Sequence, residues 1–222
     1  MSGYNGESYY VGKLTMTDKD NVGIFSPEEL GEISDALSVR IADRETNDRT
    51  PYVDIELTMG DITQIEVDAV VNAAHDNLTG GGGVDGAIHK AAGQKLLGEC
   101  LNLYGCPQGE ARITGAYDMP SKYIIHTVGP VWTPAESVEE KKEKLRNCYR
   151  SCLVVAELQG LKSIAFPCIS TGAYCFPKDI AAEIAVETIE DFFNIYVNTY
   201  LDLVQIVCFD SQNFEEYKKL LS

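Results

Sequence analysis

The sequence predicts an α/β domain built on a largely parallel sheet, and two observations carry that prediction. Short apolar runs that suit strands alternate with amphipathic stretches that suit helices along most of the 222 residues. This alternation is typical of a parallel sheet covered by helices. A glycine-rich segment also lies between one of these strands and the helix that follows it. Because open α/β sheets bind ligands at the carboxyl ends of their strands, we expect the functional site there.

The first 50 residues differ from the rest and are predicted to form an N-terminal extension. They are rich in Asp, Asn and Thr, and their hydrophobic periodicity is weak. The segment SPEE at 26–29 is a capping box with proline at the first helical position. Apolar residues follow it near helical spacing at Leu30, Ile33, Leu37 and Ile41. We therefore predict one amphipathic helix in this extension, packed on a main domain that spans residues 51–222.

Six strands are predicted in the main domain. Residues 53–58 alternate apolar and polar side chains, which is the period of a half-buried strand. Residues 67–71 form a continuous apolar, β-branched run, as expected of a buried strand. The remaining strands are predicted at 111–117, 123–128, 164–166 and 203–209.

Four helices are predicted between and after these strands. The first begins after the glycine-rich segment and runs from residue 87 towards residue 101. The second, at 139–158, places Cys148 and Cys152 on its apolar face, where core packing is favoured over metal ligation. The others are predicted at 179–193, just after Pro177, and at the C-terminus around residues 214–221.

Charge and cysteine usage exclude several classes of function. The net charge of −16 argues against sequence-independent binding to duplex nucleic acid, which needs a basic face. The seven cysteines contain no C-x-x-C pair, and no apolar run suits a signal core or a membrane span. We therefore expect free thiols and a cytoplasmic or nuclear location. The three histidines lie in no compact Cys/His cluster along the sequence, so no metal is predicted.

The glycine-rich segment carries the first candidate site. Gly80, Gly81, Gly82 and Gly83 form a run without side chains, and a helix is expected to begin just after it. Free amides at a helix N-terminus bind anions, which suits a protein with so negative a net charge. A flexible linker is the alternative, although linkers are rarely flanked by a buried strand and a helix. A dinucleotide fingerprint is a weak alternative, because eight residues separate the strand from the glycines.

A second small-residue loop follows the strand at 164–166. Ser170, Thr171 and Gly172 form a turn whose successive amides can also hold an oxyanion, although such a turn is common on its own. Two such loops could hold a diphosphate from both sides, at roughly 1.5–3 kcal/mol for each hydrogen bond to a charged group. Tyr174 and Phe209 lie at the same end of the sheet and could stack on a base or a sugar. From sequence alone, core packing is favoured for Phe209.

Six motifs, in this order, resemble those of macrodomains in the MacroD-type branch of ADP-ribosyl hydrolases. The resemblance covers about residues 52–221 and leaves the extension uncovered. The matching segments are GDIT at 60–63, VVNAA at 70–74, GGGGVDGAIHKAAG at 80–93, CPQGEARIT at 106–114, IIHTVGP at 124–130 and FPCISTGAYCFP at 166–177. It implies a three-layer α/β/α fold with a mixed, largely parallel sheet and an ADP-ribose cleft along its crest.

The resemblance also assigns roles to particular residues. It implies that Asp61 accepts a hydrogen bond from the adenine amino group, that Asn72 lies by the distal ribose and that Phe209 flanks the adenine. It implies that Asp85 activates a water near the distal ribose, a general-base role worth about 10²–10⁴-fold. Without the resemblance, Asp61 would be read as a turn or cap residue, and Asp85 could simply cap a helix. The implied ligand-binding set is Asp61, Ile62, Asn72, Gly80, Gly81, Gly82, Gly83, Val84, Asp85, Ser170, Thr171, Gly172, Ala173, Tyr174 and Phe209.

One position departs from the family pattern. The usual NAAN motif reads NAAH here, so His75 replaces an asparagine that helps to set the distal ribose. With Asp85 and Asn72, His75 completes the predicted catalytic set, and we expect it to moderate turnover and make it pH-sensitive. His89 and His126 are expected to be structural. A zinc-dependent branch carries Cys and His in the loop instead of glycines, and that pattern is absent here.

The function implied is removal of single ADP-ribose units from ester linkages on acidic side chains of proteins. O-acetyl-ADP-ribose would be a small substrate of the same chemistry. A non-catalytic ADP-ribose reader and a phosphatase acting on ADP-ribose 1″-phosphate remain as alternatives. The expected partners are ADP-ribose and mono-ADP-ribosylated proteins, with no cofactor, no nucleic acid and no membrane. The protein is expected to be a monomer.

Overall fold

The structure is a computed structural model, and it describes residues 10–11, 14–15, 54–196 and 199–222. In the extension, β1 (Tyr10–Val11) and β2 (Leu14–Thr15) form a small antiparallel pair that the sequence analysis does not predict. The amphipathic helix predicted after the capping box at 26–29 lies outside the described residues. The division of the chain at residue 50 therefore stays a prediction.

The main sheet has six strands in the order β3-β8-β7-β4-β6-β5. All neighbouring strands run parallel except β5, which pairs antiparallel with β6 at one edge. A short 3-10 helix, Ile62–Gln64, follows the first of these strands. The strands are β3 (Asp54–Met59), β4 (Ala69–Ala73), β5 (Ala111–Gly115), β6 (Tyr123–Thr127), β7 (Ser163–Pro167) and β8 (Leu203–Cys208).

Helices cover both faces of the sheet. Val70 and Ile124 point into one core with α1 (Gly83–Ala92) and α2 (Gln94–Leu101). The next residue on each strand points into the opposite core, because side chains alternate along a strand. That second core is filled by α3 (Val138–Leu158), α4 (Lys178–Ile195) and α5 (Ser211–Leu221). The predicted three-layer α/β/α architecture with a mixed sheet is confirmed.

The single helix predicted from residue 87 towards residue 101 is wrong, because Gly93 divides it into α1 and α2. Gly93 has φ 82° and ψ −179°, a conformation that ends α1 while its amide still bonds to the carbonyl of His89. A Cβ at this position would lie 2.7 Å from the Oδ2 of Asp118. Glycine therefore supplies both the left-handed backbone and the space that this corner needs.

The other predicted bounds agree with the structure to within a few residues. β4 begins at Ala69, two residues later than predicted, and β5 ends at Gly115 instead of residue 117. β8 ends at Cys208, so Phe209 leaves the sheet at the edge where the candidate ligand site lies. None of the helices in the described ranges combines the length and the apolar character needed to cross a bilayer.

Candidate functional site

A cleft of about 560 Å³ opens over the carboxyl ends of β3, β4, β7 and β8. It is the place that the parallel sheet predicts for a ligand. Of the residues predicted to act in binding or catalysis, those that line it are Asp61, Ile62, His75, Gly81, Gly82, Gly83, Val84, Asp85, Ser170, Thr171, Gly172, Ala173, Tyr174 and Phe209. No lysine or arginine lines the cleft in the described part of the chain. Backbone amides and helix dipoles must therefore hold an anion there.

The glycine run ends in the first turn of α1, which faces the cleft. Gly82 is the N-cap, with extended φ −96° and ψ 177°, and no side chain in the described part of the chain caps this end of the helix. The first-turn amides of a helix have no partner within it, so they are free to donate to a ligand. A Cβ at Gly86 would lie only 2.3 Å from the carbonyl oxygen of Gly81. Gly86 is therefore needed for the loop to fold back against its own helix.

The turn after β7 presents a second set of amides. Ser170 has φ 65°, and its carbonyl accepts a hydrogen bond from the amide of Phe176 at 3.0 Å. The amide of Cys175 donates to the carbonyl of Gly172 at 2.9 Å. Within the described residues, no hydrogen bond engages the amides of Gly172, Ala173 and Tyr174. These three amides are therefore available to an anion in the cleft, as are those at the end of the glycine run.

Asp85 is a buried carboxylate at the inner end of the glycine loop. It is the third residue of α1, and only 4% of its surface is exposed. Its Oδ1 accepts a hydrogen bond from Asn72 Nδ2 at 2.8 Å, and its Oδ2 accepts one from the backbone amide of His75 at 3.3 Å. The alternative that Asp85 merely caps the helix is wrong, since its bonds go to β4 and the segment that follows it. The carboxylate is thus oriented from behind while one edge faces the cleft.

The structure places Asn72 behind Asp85 and not at the ligand surface. Asn72 is fully buried, and neither it nor Gly80 lines the cleft. Its Nδ2 group contacts Nδ1 of His126 at 3.1 Å as well as Asp85. The alternation of side chains along β4 turns Asn72 into the core, and its predicted contact with the distal ribose stays a prediction. A Cβ at Gly80 would meet the ring of His89 at 3.1 Å, which places that glycine against α1.

His126 extends this chain of hydrogen bonds into the core. An amide NH₂ can only donate, so Nδ1 of His126 accepts from Asn72 and the ring proton lies on Nε2. That nitrogen is 2.9 Å from the hydroxyl of Thr114, to which it donates. Burial, followed by the nearby His89 ring, lowers the pKa of His126 to about 3, so the ring is neutral. Its position supports the expected structural role.

The fold assembles a Cys/His cluster that the sequence spacing does not reveal. The ligating atoms of His89, Cys100 and His126 lie within 4.8 Å of one another, behind Asp85. Burial raises the pKa of the Cys100 thiol to about 12, and Nε2 of His126 already carries a proton. In the metal-free protein both atoms are therefore protonated, and a metal that binds here has to displace a proton from each. Nε2 of His89 is buried, has no hydrogen-bond partner among the described residues and lies 3.6 Å from Oδ1 of Asp85.

His75 lines the cleft, but its side chain does not contact Asp85. The imidazole is 55% exposed, and its Nδ1 lies 2.7 Å from Oδ1 of Asp76. The contact between His75 and Asp85 is made by the backbone amide, which any residue at this position except proline can supply. The effect of the His75 side chain on Asp85 that the sequence predicts therefore has no direct contact to carry it.

The adenine end of the predicted site is formed by Asp61 and Phe209. Asp61 caps the 3-10 helix, since its Oδ1 accepts from the amide of Thr63 at 2.9 Å and from the hydroxyl at 2.8 Å. Its other oxygen makes no hydrogen bond to a described residue, so capping and ligand binding are compatible. Phe209 is 87% exposed beside the cleft, and its interpretation as a core residue is wrong. An exposed ring at this edge suits stacking on a base.

Several residues that line the cleft were not predicted. Most of them flank a predicted segment. Their position at the end of a predicted strand is the sequence feature that could have identified them. Gly129 is the most informative, because a Cβ there would lie 2.0 Å from the hydroxyl oxygen of Ser170. The motif IIHTVGP contains it, so the sequence did offer a signal. The residues concerned are Gly60, Ala73, Ala74, Ala87, Gly129, Pro167, Cys168, Val207, Asp210 and Asn213.

Comparison with known proteins finds a family match and close relatives. The model of the Macro domain family matches residues 71–185. The ADP-ribose glycohydrolase MACROD2 of Homo sapiens is 48% identical over 169 residues, which is 76% of this chain and 39% of that protein. The O-acetyl-ADP-ribose deacetylase of Escherichia fergusonii is 48% identical over 172 residues, which is 76% of this chain and 95% of that protein.

Among solved structures, the Trypanosoma brucei macrodomain in complex with ADP-ribose superposes with a TM-score of 0.71. It is 36% identical, and the match covers 90% of this chain and 92% of that one.

Proposed function

The chain belongs to the macrodomain family, and from that membership we propose that it hydrolyses esters of ADP-ribose. The substrates proposed are proteins that carry single ADP-ribose units on aspartate or glutamate, and O-acetyl-ADP-ribose as a small-molecule counterpart. The names of two relatives, a glycohydrolase and a deacetylase, support a hydrolytic role. The observation that carries the proposal is Asp85, a buried carboxylate oriented by two hydrogen bonds at the inner end of an amide-lined cleft.

Binding follows from the distribution of donors along the cleft. The diphosphate lies between the first turn of α1 and the free amides of Gly172, Ala173 and Tyr174. Each such hydrogen bond to a charged group contributes about 1.5–3 kcal/mol, so several of them hold the diphosphate without a basic side chain. The adenine lies against Phe209 with its amino group towards Asp61. The distal ribose then lies at the opposite end, beside Asp85.

Catalysis follows from the orientation of Asp85. We assign to its carboxylate the role of general base, which accepts a proton from a water as that water attacks the ester. The ester bond breaks, and the products are ADP-ribose and the free carboxylic acid of the acceptor. Asn72 and the amide of His75 hold the carboxylate in one orientation. A fixed base of this kind avoids the cost of reorganisation during the reaction.

A non-catalytic reader is the second candidate, and the side chain of His75 favours it. The imidazole pairs with Asp76 at the place where the family usually has an asparagine amide near the distal ribose. The cleft would then bind ADP-ribose with one polar group fewer at the reacting end. For either function we propose that the protein acts as a monomer on modified proteins in the cytoplasm or the nucleus.

The test is to incubate the protein with a peptide that carries ADP-ribose on glutamate through an ester. Mass spectrometry is expected to detect released ADP-ribose with the parent protein and not with Asp85→Asn. A matched peptide modified on serine through a glycosidic bond should remain intact, which shows that the ester is required. Binding of ADP-ribose without release from any ester would establish the reader instead.

A further inference from the structure

Two thiols face each other where β7 and β8 end beneath the cleft. Cys208 is the last residue of β8, and Cys168 directly follows the last residue of β7. Their predecessors, Pro167 and Val207, are register partners on these parallel strands. The thiol of Cys168 donates to the sulfur of Cys208, and the two sulfurs are 3.5 Å apart. Neighbouring strands lie about 4.8 Å apart, inside the range of Cα separations of about 4.4–6.8 Å that disulfides span.

This pair connects three parts of the candidate ligand site. The carbonyl of Cys168 accepts hydrogen bonds from the amide and the hydroxyl of Thr171, so its position sets the turn after β7. The carbonyl of Cys208 accepts from the amide of Gly60 at 3.0 Å, next to Asp61. Phe209 is bonded directly to Cys208. A movement of either cysteine is therefore passed to the diphosphate turn and to the adenine end.

The pair also differs from the other cysteines in its surroundings. Cys100, Cys106, Cys148 and Cys152 are buried, and burial raises the pKa of each of these thiols. Cys175 is exposed but has no neighbouring thiol within hydrogen-bonding distance in the described structure. Cys168 lines the cleft, which gives a small oxidant access to the pair. The hydrogen bond between the two thiols raises the pKa of Cys168, together with burial, and lowers the pKa of Cys208, which favours charge on the Cys208 sulfur.

We propose that Cys168 and Cys208 form an oxidative modification site, at which a peroxide produces a disulfide that weakens ADP-ribose binding. The effect on binding rests on the proposed function, whereas formation of the bond does not. The sulfurs must approach from 3.5 Å to about 2.05 Å. Because neighbouring strands lie about 4.8 Å apart and disulfides prefer Cα separations of about 5.5–6 Å, the bridge spreads the ends of the two strands and shifts the amides of the turn. A hydrogen bond weakens when its length changes by more than a few tenths of an ångström, so the displaced amides bind the diphosphate less tightly.

The chemistry balances with one peroxide for each disulfide. A thiolate of the pair attacks the O–O bond of hydrogen peroxide, takes one oxygen to become a sulfenic acid and releases hydroxide. The second sulfur then attacks the sulfenic sulfur. Its S–H proton and the hydroxyl group leave as water. The hydroxide takes up the proton that the first thiol lost, so two thiols and one peroxide yield one disulfide and two waters.

The experiment uses the full chain, reduced and then treated with hydrogen peroxide. Peptide mapping by mass spectrometry without reduction is expected to find a bridge between Cys168 and Cys208. Calorimetry is expected to show that the Kd for ADP-ribose rises about tenfold after oxidation. This change corresponds to the loss of one charge-assisted hydrogen bond, and dithiothreitol should restore the original Kd. The Kd of Cys208→Ser for ADP-ribose should be the same before and after peroxide treatment. Cys175→Ser should respond as the parent does.

Two results would overturn the proposal. A map in which Cys168 pairs with Cys175, or is oxidised without any bridge to Cys208, refutes the site. A bridged protein that binds ADP-ribose as the reduced protein does refutes the effect on the cleft. If the reduced protein does not bind ADP-ribose, the proposed function fails together with the effect on binding, and the peptide map still decides whether the disulfide forms.

Discussion

Asn72 on β4 donates a hydrogen bond to Asp85 on α1 across 2.8 Å, and both side chains are buried. The same amide nitrogen lies 3.1 Å from His126 on the neighbouring strand β6. The carboxylate on the helix is therefore oriented by the sheet beneath it. A base that is held in this way depends on contacts between elements that are distant in sequence.

Replacement of Asp85 separates chemistry from binding. We expect Asp85→Ala to lower the rate of ester hydrolysis by at least about 10²-fold, because the general base is lost. ADP-ribose affinity should change little, because the amides supply most of the binding energy. The variant should be less stable by about 1–3 kcal/mol, since the amide of Asn72 loses a buried partner. Hydrolysis at the parent rate would remove Asp85 from the mechanism.

Asp61→Asn tests the adenine end without disturbing the local turn. The asparagine retains an oxygen to cap the 3-10 helix and replaces the oxygen that faces the ligand with a donor. We expect ADP-ribose to bind more weakly by about 1.5–3 kcal/mol, roughly 10–150-fold in Kd, by calorimetry. Thr63→Val removes one contact to the capping oxygen and should bind almost as the parent does. Equal affinity of the parent and Asp61→Asn would contradict the role assigned to Asp61.

His75→Asn restores the residue that the family usually has and retains the backbone amide that bonds to Asp85. We expect turnover to rise by up to about tenfold, equivalent to 1.4 kcal/mol in the barrier. The measurement is the rate of release of ADP-ribose from an ester-linked peptide, for the parent and for His75→Asn at one pH. Equal rates would show that the imidazole has no influence on the cleft.

Chelators should leave hydrolysis unchanged, even though the fold assembles a Cys/His cluster behind Asp85. The ring proton of His126 is donated to Thr114, and the Cys100 thiol stays protonated because burial raises its pKa to about 12. Activity is to be measured after dialysis against EDTA and 1,10-phenanthroline. Cys100→Ser should be equally unaffected. Loss of activity that zinc restores would identify a metal site in this cluster.

His126 should make stability depend on pH. Its pKa in the folded protein is about 3, against about 6.5 for a histidine in an unfolded chain. Between these two pH values only the unfolded chain takes up the proton. The contribution of His126 to the free energy of unfolding is therefore greatest above about pH 6.5 and falls as the pH is lowered. The slope is about 1.4 kcal/mol per pH unit.

The measurement is denaturant unfolding of the parent and of His126→Gln from pH 7 to pH 4. The free energy of unfolding of the parent should exceed that of the variant by an amount that shrinks by about 1.4 kcal/mol for each unit by which the pH is lowered. Ile125→Val, a neighbouring core change without a titrating group, should show a difference that does not vary with pH. If the difference in the free energy of unfolding between the parent and His126→Gln also does not vary with pH, then His126 does not couple folding to proton uptake.

Sequence by itself determined the features that depend on local order. The period of apolar residues located the strands and helices, because a strand or a helix must turn one side of its surface to the core. The four consecutive glycines and the Ser-Thr-Gly turn indicated two anion-binding loops, since small residues at strand ends leave amides accessible. The six motifs identified the family from local sequence alone.

Tertiary structure alone decided which side chains meet. Asn72 turned away from the cleft because β4 alternates its faces, and Phe209 became exposed because β8 stops one residue before it. The contact between Cys168 and Cys208 joins residues 40 positions apart through the register of two parallel strands. No local pattern specifies these distances. They depend on strand order and register, which the packing of both faces of the sheet selects as a whole.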